Sequence, residues 1–313
     1  MKLINFQGLN CYHNCIVSIA ASQGLDYASA FSRLWSETDF RYDSGRNVYL
    51  TKRMIAGFRG LGTELMMLNS GTVDERAQSL EQPGLGEPFI VGMDAFYIPW
   101  CQLYRIHHGP HYFIAEKTGD GAFKCWDPTY RREEENLSSK EILPHAFDIS
   151  RMVPVTDHGC GQVQIRTDFR AVNSPQDIRA EAEAILRGHP LFCGQLTSWL
   201  ETFSYPRGEE GLKPANYIDA LTDNRYLYRY YLARQLLPYS AGQFLFSQEH
   251  FSRWTAVKNG LYKAALVTDR KAVMAEILPK LNDLLIVEMN LARCILELPV
   301  ITPESQITVR TEK

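Results

Sequence analysis

The apolar positions of this chain follow two different patterns. Over roughly the first half they come as short compact runs broken by Gly and Pro, whereas after Ser174 they recur at helical spacing. Cys11, Cys15, Ile16, Ile19 and Ala20 share one face of a predicted helix that ends at Gly24. Asp26 is placed to cap a further helical segment through Ala30, Phe31, Leu34 and Trp35. Residues 41–47 read as a polar turn, 51–59 as a helix, 64–69 as a strand and 72–81 as an amphipathic helix. After Pro83, Gly84, Gly86 and Pro88 comes Phe89-Ile90-Val91-Gly92-Met93, the pattern of a buried strand. Strands opened by His111 and closed by Asp127, joined by a turn at Thr118 to Gly121, predict a β-hairpin. Arg131 to Glu135 reads as a solvated charged loop, 140–146 as a short helix and 151–155 as a strand.

The second half predicts long helices. Ser174-Pro175-Gln176-Asp177 is a helix start, and that helix is expected to stop before Gly188. Residues 199–214 read as irregular, followed by helices over 216–237, 247–266 and 269–296. Phe251, Trp254, Val257, Leu261 and Ala265 form one apolar stripe. Met274, Ile277, Leu281, Leu284, Leu285, Glu288 and Leu291 form another; such stripes pack against each other. The expectation is an α+β chain: residues 1–160 as a domain with an N-terminal helix on an antiparallel sheet, and 161–313 as a mainly helical domain.

Composition narrows the function. A net charge of −3 argues against nucleic-acid binding through bulk electrostatics. No apolar run is long enough to cross a bilayer, and the stretch Met1 to Phe6 lacks the apolar core of a signal peptide, so a cytoplasmic protein is expected. Seven widely scattered cysteines, an odd count, do not make a disulfide framework. Cys11, His13 and Cys15 lack a second close pair to complete a zinc site, and His107, His108 and His111 lack cysteines, so no metal is expected. No Gly-rich phosphate loop is present, and no nucleotide cofactor is expected.

The chemistry gathers on three residues. A cysteine at the first turn of a helix faces unpaired N–H groups and the positive end of the macrodipole, which favour thiolate. Cys11 is that cysteine, whereas Cys15, one turn on, is expected to be buried. His111 and Asp127 lie 16 residues apart on adjacent predicted strands, close enough for a base and the acceptor that orients it. His108 is the alternative to His111 as the base, but it precedes Gly-Pro and is expected in a connecting loop, with His13 an exposed first-turn residue. Phe96, Tyr97, Trp100 and Tyr104 are dense enough to line a cleft.

Four segments carry a family resemblance: Asn10-Cys11 with the helix to Gly24; Met93-Asp94-Ala95-Phe96-Tyr97-Ile98-Pro99-Trp100; His108-Gly109-Pro110-His111-Tyr112-Phe113-Ile114; and Trp126-Asp127-Pro128. Together they resemble the papain-like family of the butirosin biosynthesis protein H amino-terminal domain, related to bacteriocin-leader peptidases. The resemblance covers most of the first half. It implies Cys11 as nucleophile, His111 as base and Asp127 as its orienting partner. Gln7 is the one candidate for the upstream oxyanion glutamine of such enzymes, beside the backbone N–H of Cys11. Asp94, Tyr97, Trp100 and His108 are candidates to line the substrate site, with Asp94 alternatively a helix cap.

The leading functional expectation is acyl transfer. An acyl, aminoacyl or peptidyl group would pass from a carrier protein's phosphopantetheine thioester to Cys11, then to an amine acceptor, in natural-product assembly. The helical half would serve as lid or carrier-docking surface. Hydrolysis by the same three residues is the alternative, and a non-catalytic binding scaffold is a third.

Overall fold

A computed structural model describes residues 1–36, 63–68, 77–78, 80–146, 160–165, 175–235 and 246–297. The helix expected at 51–59, the turn at 41–47 and the strand at 151–155 lie outside those residues, as does most of 72–81. The chain divides into two compact units, Met1–Ala30 with Asn47–Ala171 and Phe31–Arg46 with Val172–Lys313. The first is mixed α/β and the second, in its described residues, is helical.

In the first unit, helix α1 (Cys11–Ser22) starts at Asn10, whose side chain caps it, and unwinds at Gly24, which takes φ +78°. The described strands are β1 (Thr63–Leu68), β2 (Pro88–Asp94), β3 (Pro110–Lys117), β4 (Ala122–Asp127), β5 (Arg132–Ser138) and β6 (Cys160–Ile165). They form one antiparallel sheet in the order β1-β6-β2-β3-β4-β5. Alternation along the strands sorts side chains onto two faces. Phe89, Val91, Met93, Phe113, Ala115, Phe123, Cys125 and Leu137 join one buried cluster. The opposite face carries Ile90, Tyr112 and Ile114, and α1 packs there on β2 and β3. The ring of Tyr12, at the start of α1, meets that of Tyr112 at 5.1 Å.

Several expectations change. The segment after Asp26 forms only a short 3-10 helix, Tyr27–Phe31, and the helix expected at 140–146 shrinks to α2, Ser139–Ile142. Arg131 to Glu135 is not a loop: Arg132–Ser138 is the outer strand β5. An edge strand needs hydrogen bonds on one side only and tolerates exposed charge, which also blocks further strand addition. Strand β6 falls where a boundary between halves was expected, and the sheet unit runs on to Ala171.

The described helices of the second unit are α3 (Pro175–Thr202), α4 (Lys213–Gln235), α5 (Gln248–Leu266) and α6 (Arg270–Glu297). Helix α3 does not stop at Gly188. Ile178, Ala182, Ile185, His189, Phe192, Leu196 and Leu200 are buried at steps of three and four, straight through the glycine and Pro190. A glycine inside a helix costs about 1 kcal/mol against alanine, less than that continuous apolar stripe returns. The interval 199–214 is correspondingly shorter than expected, with a 3-10 turn at Glu209–Leu212 leading into α4.

At the centre of this unit lies Glu288, fully buried within the α6 stripe. Arg225 donates to it through Nε (2.5 Å) and Nη2 (2.6 Å). His189 Nε2 and His250 Nε2 lie at 3.2 Å, Trp254 Nε1 at 3.1 Å and Trp35 Nε1 at 3.3 Å. Burial alone would raise the Glu288 carboxyl, but the Arg225 charge and these hydrogen bonds hold it well below the usual carboxylate range. Among the described residues, no helix is long and apolar enough to cross a membrane.

Candidate active site

The thiol is placed by the start of α1. Asn10 has extended backbone, and its Oδ1 accepts from His13 N at 2.9 Å. That makes Cys11 the first helical residue, whose N–H has no intrahelical acceptor and points out of the helix end. Cys11 is partly exposed, whereas Cys15 is fully buried. Burial, then the Asp127 charge and then Cys11, push the Cys15 thiol well above its ordinary range, so it stays protonated. His13 is not the exposed residue expected of a first turn: it is completely buried, because its side of the helix faces protein rather than solvent.

The imidazole and carboxylate come from the sheet. His111 is the second residue of β3 and Asp127 the last of β4, where the β4–β5 pairing shifts register. His111 Nε2 and Asp127 Oδ2 are 2.6 Å apart. A carboxylate can only accept, so Nε2 carries the proton, and Nδ1 is the nitrogen left for sulfur. The Cys11 thiol hydrogen-bonds to this same imidazole. Asp127 is fully buried and each of its oxygens accepts two bonds. Oδ2 also takes Trp100 Nε1 at 2.8 Å; Oδ1 takes the backbone N–H groups of Thr129 (2.9 Å) and Tyr130 (3.2 Å). Tyr130 further covers the His111 ring, with centroids 5.1 Å apart. Burial pulls the imidazole's pKa down, but the hydrogen bonds and charges of Asp127 and Cys11 outweigh it and raise His111 to about 10.

A chain of amides holds helix and sheet together. Asn14 Oδ1 accepts from Phe6 N (3.4 Å), its Nδ2 donates to Asn5 Oδ1 (3.3 Å), and Asn5 Nδ2 donates to Thr129 O (3.1 Å). It ties α1 to the turn that carries Asp127. A separate clasp closes the excursion from Asp94 to Gly109. Asp94 clasps its neck: Oδ1 accepts from Phe96 N and Gly109 N, both at 3.1 Å, and Oδ2 lies 2.6 Å from His108 Nδ1. Ala95 N donates to Gly109 O at 2.8 Å, closing the loop.

The expected substrate-lining residues thus have other partners as well. Asp94 is buried and caps the 3-10 helix Ala95–Tyr97. Trp100 holds Asp127 and meets Phe113 edge to face at 5.4 Å. Tyr97 stacks on His145 at 3.4 Å, and His108, half exposed, stacks on Phe96 at 4.3 Å. Gln7 is exposed in the Phe6–Leu9 turn and makes no hydrogen bond to another described residue. Asn10, Asn5 and Asn14 were not legible as site residues. Asn10 had a signal, being a strong cap residue just before the helix. Trp100 had one too, since a buried indole N–H needs an acceptor.

The raised His111 pKa sets a pH dependence. Its protonated form is favoured by folding, so its contribution to stability is full below about pH 6.5 and is lost as pH rises through about 10. The excess stability of the wild type over His111→Gln, read from urea midpoints, is expected to shrink by a few kcal/mol over that window, at about 1.4 kcal/mol per pKa unit. An excess that stays constant with pH contradicts a protonated, paired imidazole.

Fold and site together define a mixed α/β chain with a cysteine, a histidine and an aspartate linked by hydrogen bonds at one end of an antiparallel sheet. No family model matches the chain, and no curated protein matches its sequence. Among the described residues, no group of three or more His, Cys, Asp or Glu side chains is placed to hold a metal ion.

Proposed function

We propose that the protein is a papain-like cysteine acyltransferase. The observation that carries the reading is the Cys11 thiol at the first position of a helix, hydrogen-bonded to an imidazole whose other nitrogen is held by buried Asp127. That is the arrangement nucleophilic catalysis at a carbonyl requires: a nucleophile, a proton partner and a group that fixes the partner's tautomer. In the proposed reaction the thiolate of Cys11 attacks an acyl thioester presented on a carrier protein's phosphopantetheine arm. The imidazolium of His111 balances its charge, and the N–H of Cys11 donates to the carbonyl oxygen as it becomes an oxyanion. An amine then takes the acyl group from sulfur. Trp100 on Asp127 and the Tyr130 ring against His111 support transfer over hydrolysis, because aromatic side chains around the histidine–aspartate pair disfavour water there.

The test is incubation of the protein with an acetyl-pantetheine thioester, with and without a panel of primary amines, followed by intact mass and product analysis. An acetyl adduct on the protein, discharged to amide when amine is present, is the expected result. Discharge to acetate alone makes the protein a hydrolase with the same three residues. No adduct and no turnover leaves a binding scaffold and overturns the reading.

A further inference from the structure

Two loops meet beside the histidine–aspartate pair, and both carry exposed arginines. The excursion 95–109 leaves the sheet after β2 and returns at β3; the turn 128–131 joins β4 to β5 at the same end. The loops touch where Cys101 Sγ lies 3.3 Å from the Tyr130 hydroxyl, and Trp100 Nε1 reaches Asp127 Oδ2 at 2.8 Å. Arg105 is one tight turn on from Cys101, whose carbonyl accepts from Tyr104 N at 3.0 Å. Arg131 directly follows Tyr130, whose ring lies against that of His111, the partner of the Cys11 thiol. The contacts that hold the imidazole therefore also carry Arg105 and Arg131 to the rim of the site.

The charge of this rim differs from that of the chain. Neither arginine has an ion-pair partner among the described residues, and Arg105 lies over the Tyr104 ring at 5.0 Å. Residues 95–109 and 128–132 contain no Asp or Glu, and the stretch 1–25 has Lys2 as its single Lys, Arg, Asp or Glu. Asp94 and Asp127, which flank the loops, are buried and engaged by the donors described above; the first exposed carboxylate past the turn is Glu133. In a chain of net charge −3, the loops around the site are cationic. Both arginines also hold left-handed backbone, Arg105 at φ 56° and Arg131 at φ 52°. Gly or Asn would take that conformation with less strain, and strain of this kind gathers at functional sites.

We propose that Arg105 and Arg131 bind the phosphate of the donor's phosphopantetheine arm. The proposal rests on the acyl-transfer reading above and gives its donor a recognition site. A guanidinium is always charged, and its fork of N–H groups matches phosphate oxygens. The arm carries its phosphate at the opposite end from its sulfur. The residues that bind it therefore belong on the rim of the site, not against Cys11. Two unpaired arginines on packed loops suit a single phosphate and are too few for the extended backbone of a nucleic acid.

The test compares two donors that differ by one phosphate, acetyl-pantetheine and acetyl-phosphopantetheine. The rate of Cys11 acetylation is read by intact mass at subsaturating donor. The readout is the ratio of the two rates within each protein, so any general loss in a variant cancels. Wild type is expected to react about tenfold faster or more with the phosphorylated donor, the scale of charge-assisted hydrogen bonds to one group. The ratio is expected to fall toward one in Arg105→Gln with Arg131→Gln, and to shrink between about 50 mM and about 500 mM NaCl, as exposed charges are screened. Lys140→Gln makes the same change of charge beyond Ser138, which pairs with Ala122 at the opposite end of β4, and is expected to keep the wild-type ratio. A wild-type ratio near one overturns the phosphate site while leaving acyl transfer from pantetheine standing. A ratio that survives in the double variant, or that falls equally in Lys140→Gln, overturns the assignment to these two arginines. No acetylation of Cys11 by either donor overturns the donor reading itself, and the phosphate site with it.

Discussion

Cys11→Ala is expected to lose acylation by p-nitrophenyl acetate or an acyl-pantetheine thioester by at least about 10³-fold, while Cys15→Ala keeps the wild-type adduct. The two sulfurs are one helical turn apart, so sequence spacing barely separates them. Their surroundings do. Cys11 is partly exposed at the helix start and shares a hydrogen bond with His111, whereas Cys15 is fully buried and its thiol is pushed well above the ordinary range. A thiol held protonated is neither a nucleophile nor reachable. Intact mass after brief exposure reads the result directly. An adduct that persists in Cys11→Ala and vanishes in Cys15→Ala reverses the assignment. Removing a small buried sulfur from Cys15 costs some stability, so the comparison is made well below the unfolding midpoint.

Glu288→Gln is expected to destabilise the helical unit by about 3–5 kcal/mol. The carboxylate is fully buried and bonded twice by Arg225, itself fully buried. Gln keeps the shape and removes the charge, which leaves a guanidinium in the interior without compensation. Glu288→Met with Arg225→Met is expected to recover most of the loss, because removing both charges removes the uncompensated one. Urea denaturation followed by circular dichroism checks this, and a Glu288→Gln cost below about 1 kcal/mol contradicts the network as drawn. The sign with pH follows from the depressed carboxyl. Its contribution is full above the ordinary value of 4.5 and is lost as pH falls below it toward the folded value.

The two networks differ in what removal of a partner does. Around Glu288, every polar group is buried and serves packing of four helices and the Phe31–Ser36 segment. Around Asp127, four donors saturate one carboxylate so that the imidazole it holds has a single orientation and tautomer. The first network is expected to show itself in stability and the second in reactivity.

Local pattern was enough for the Cys11 helix and its stop at Gly24, the buried strand Pro88–Asp94, the hairpin that joins His111 to Asp127, and the two C-terminal helices. Each is dictated by side chains that are neighbours along the chain: caps, turn glycines and apolar residues at periods near two or near 3.6. Tertiary structure alone decided the rest. It made Arg132–Ser138 a strand because β4 offered an unpaired edge, and it carried α3 through Gly188 because a buried stripe outweighed one poor helix former. It buried His13, and it turned Glu288 from an anomaly in an apolar stripe into the acceptor for Arg225. It also brought Trp100 and Asp94, read as cleft residues, onto Asp127 and His108. These outcomes depend on hydrogen-bond partners tens to hundreds of residues away, and such partners leave no periodic trace in the chain.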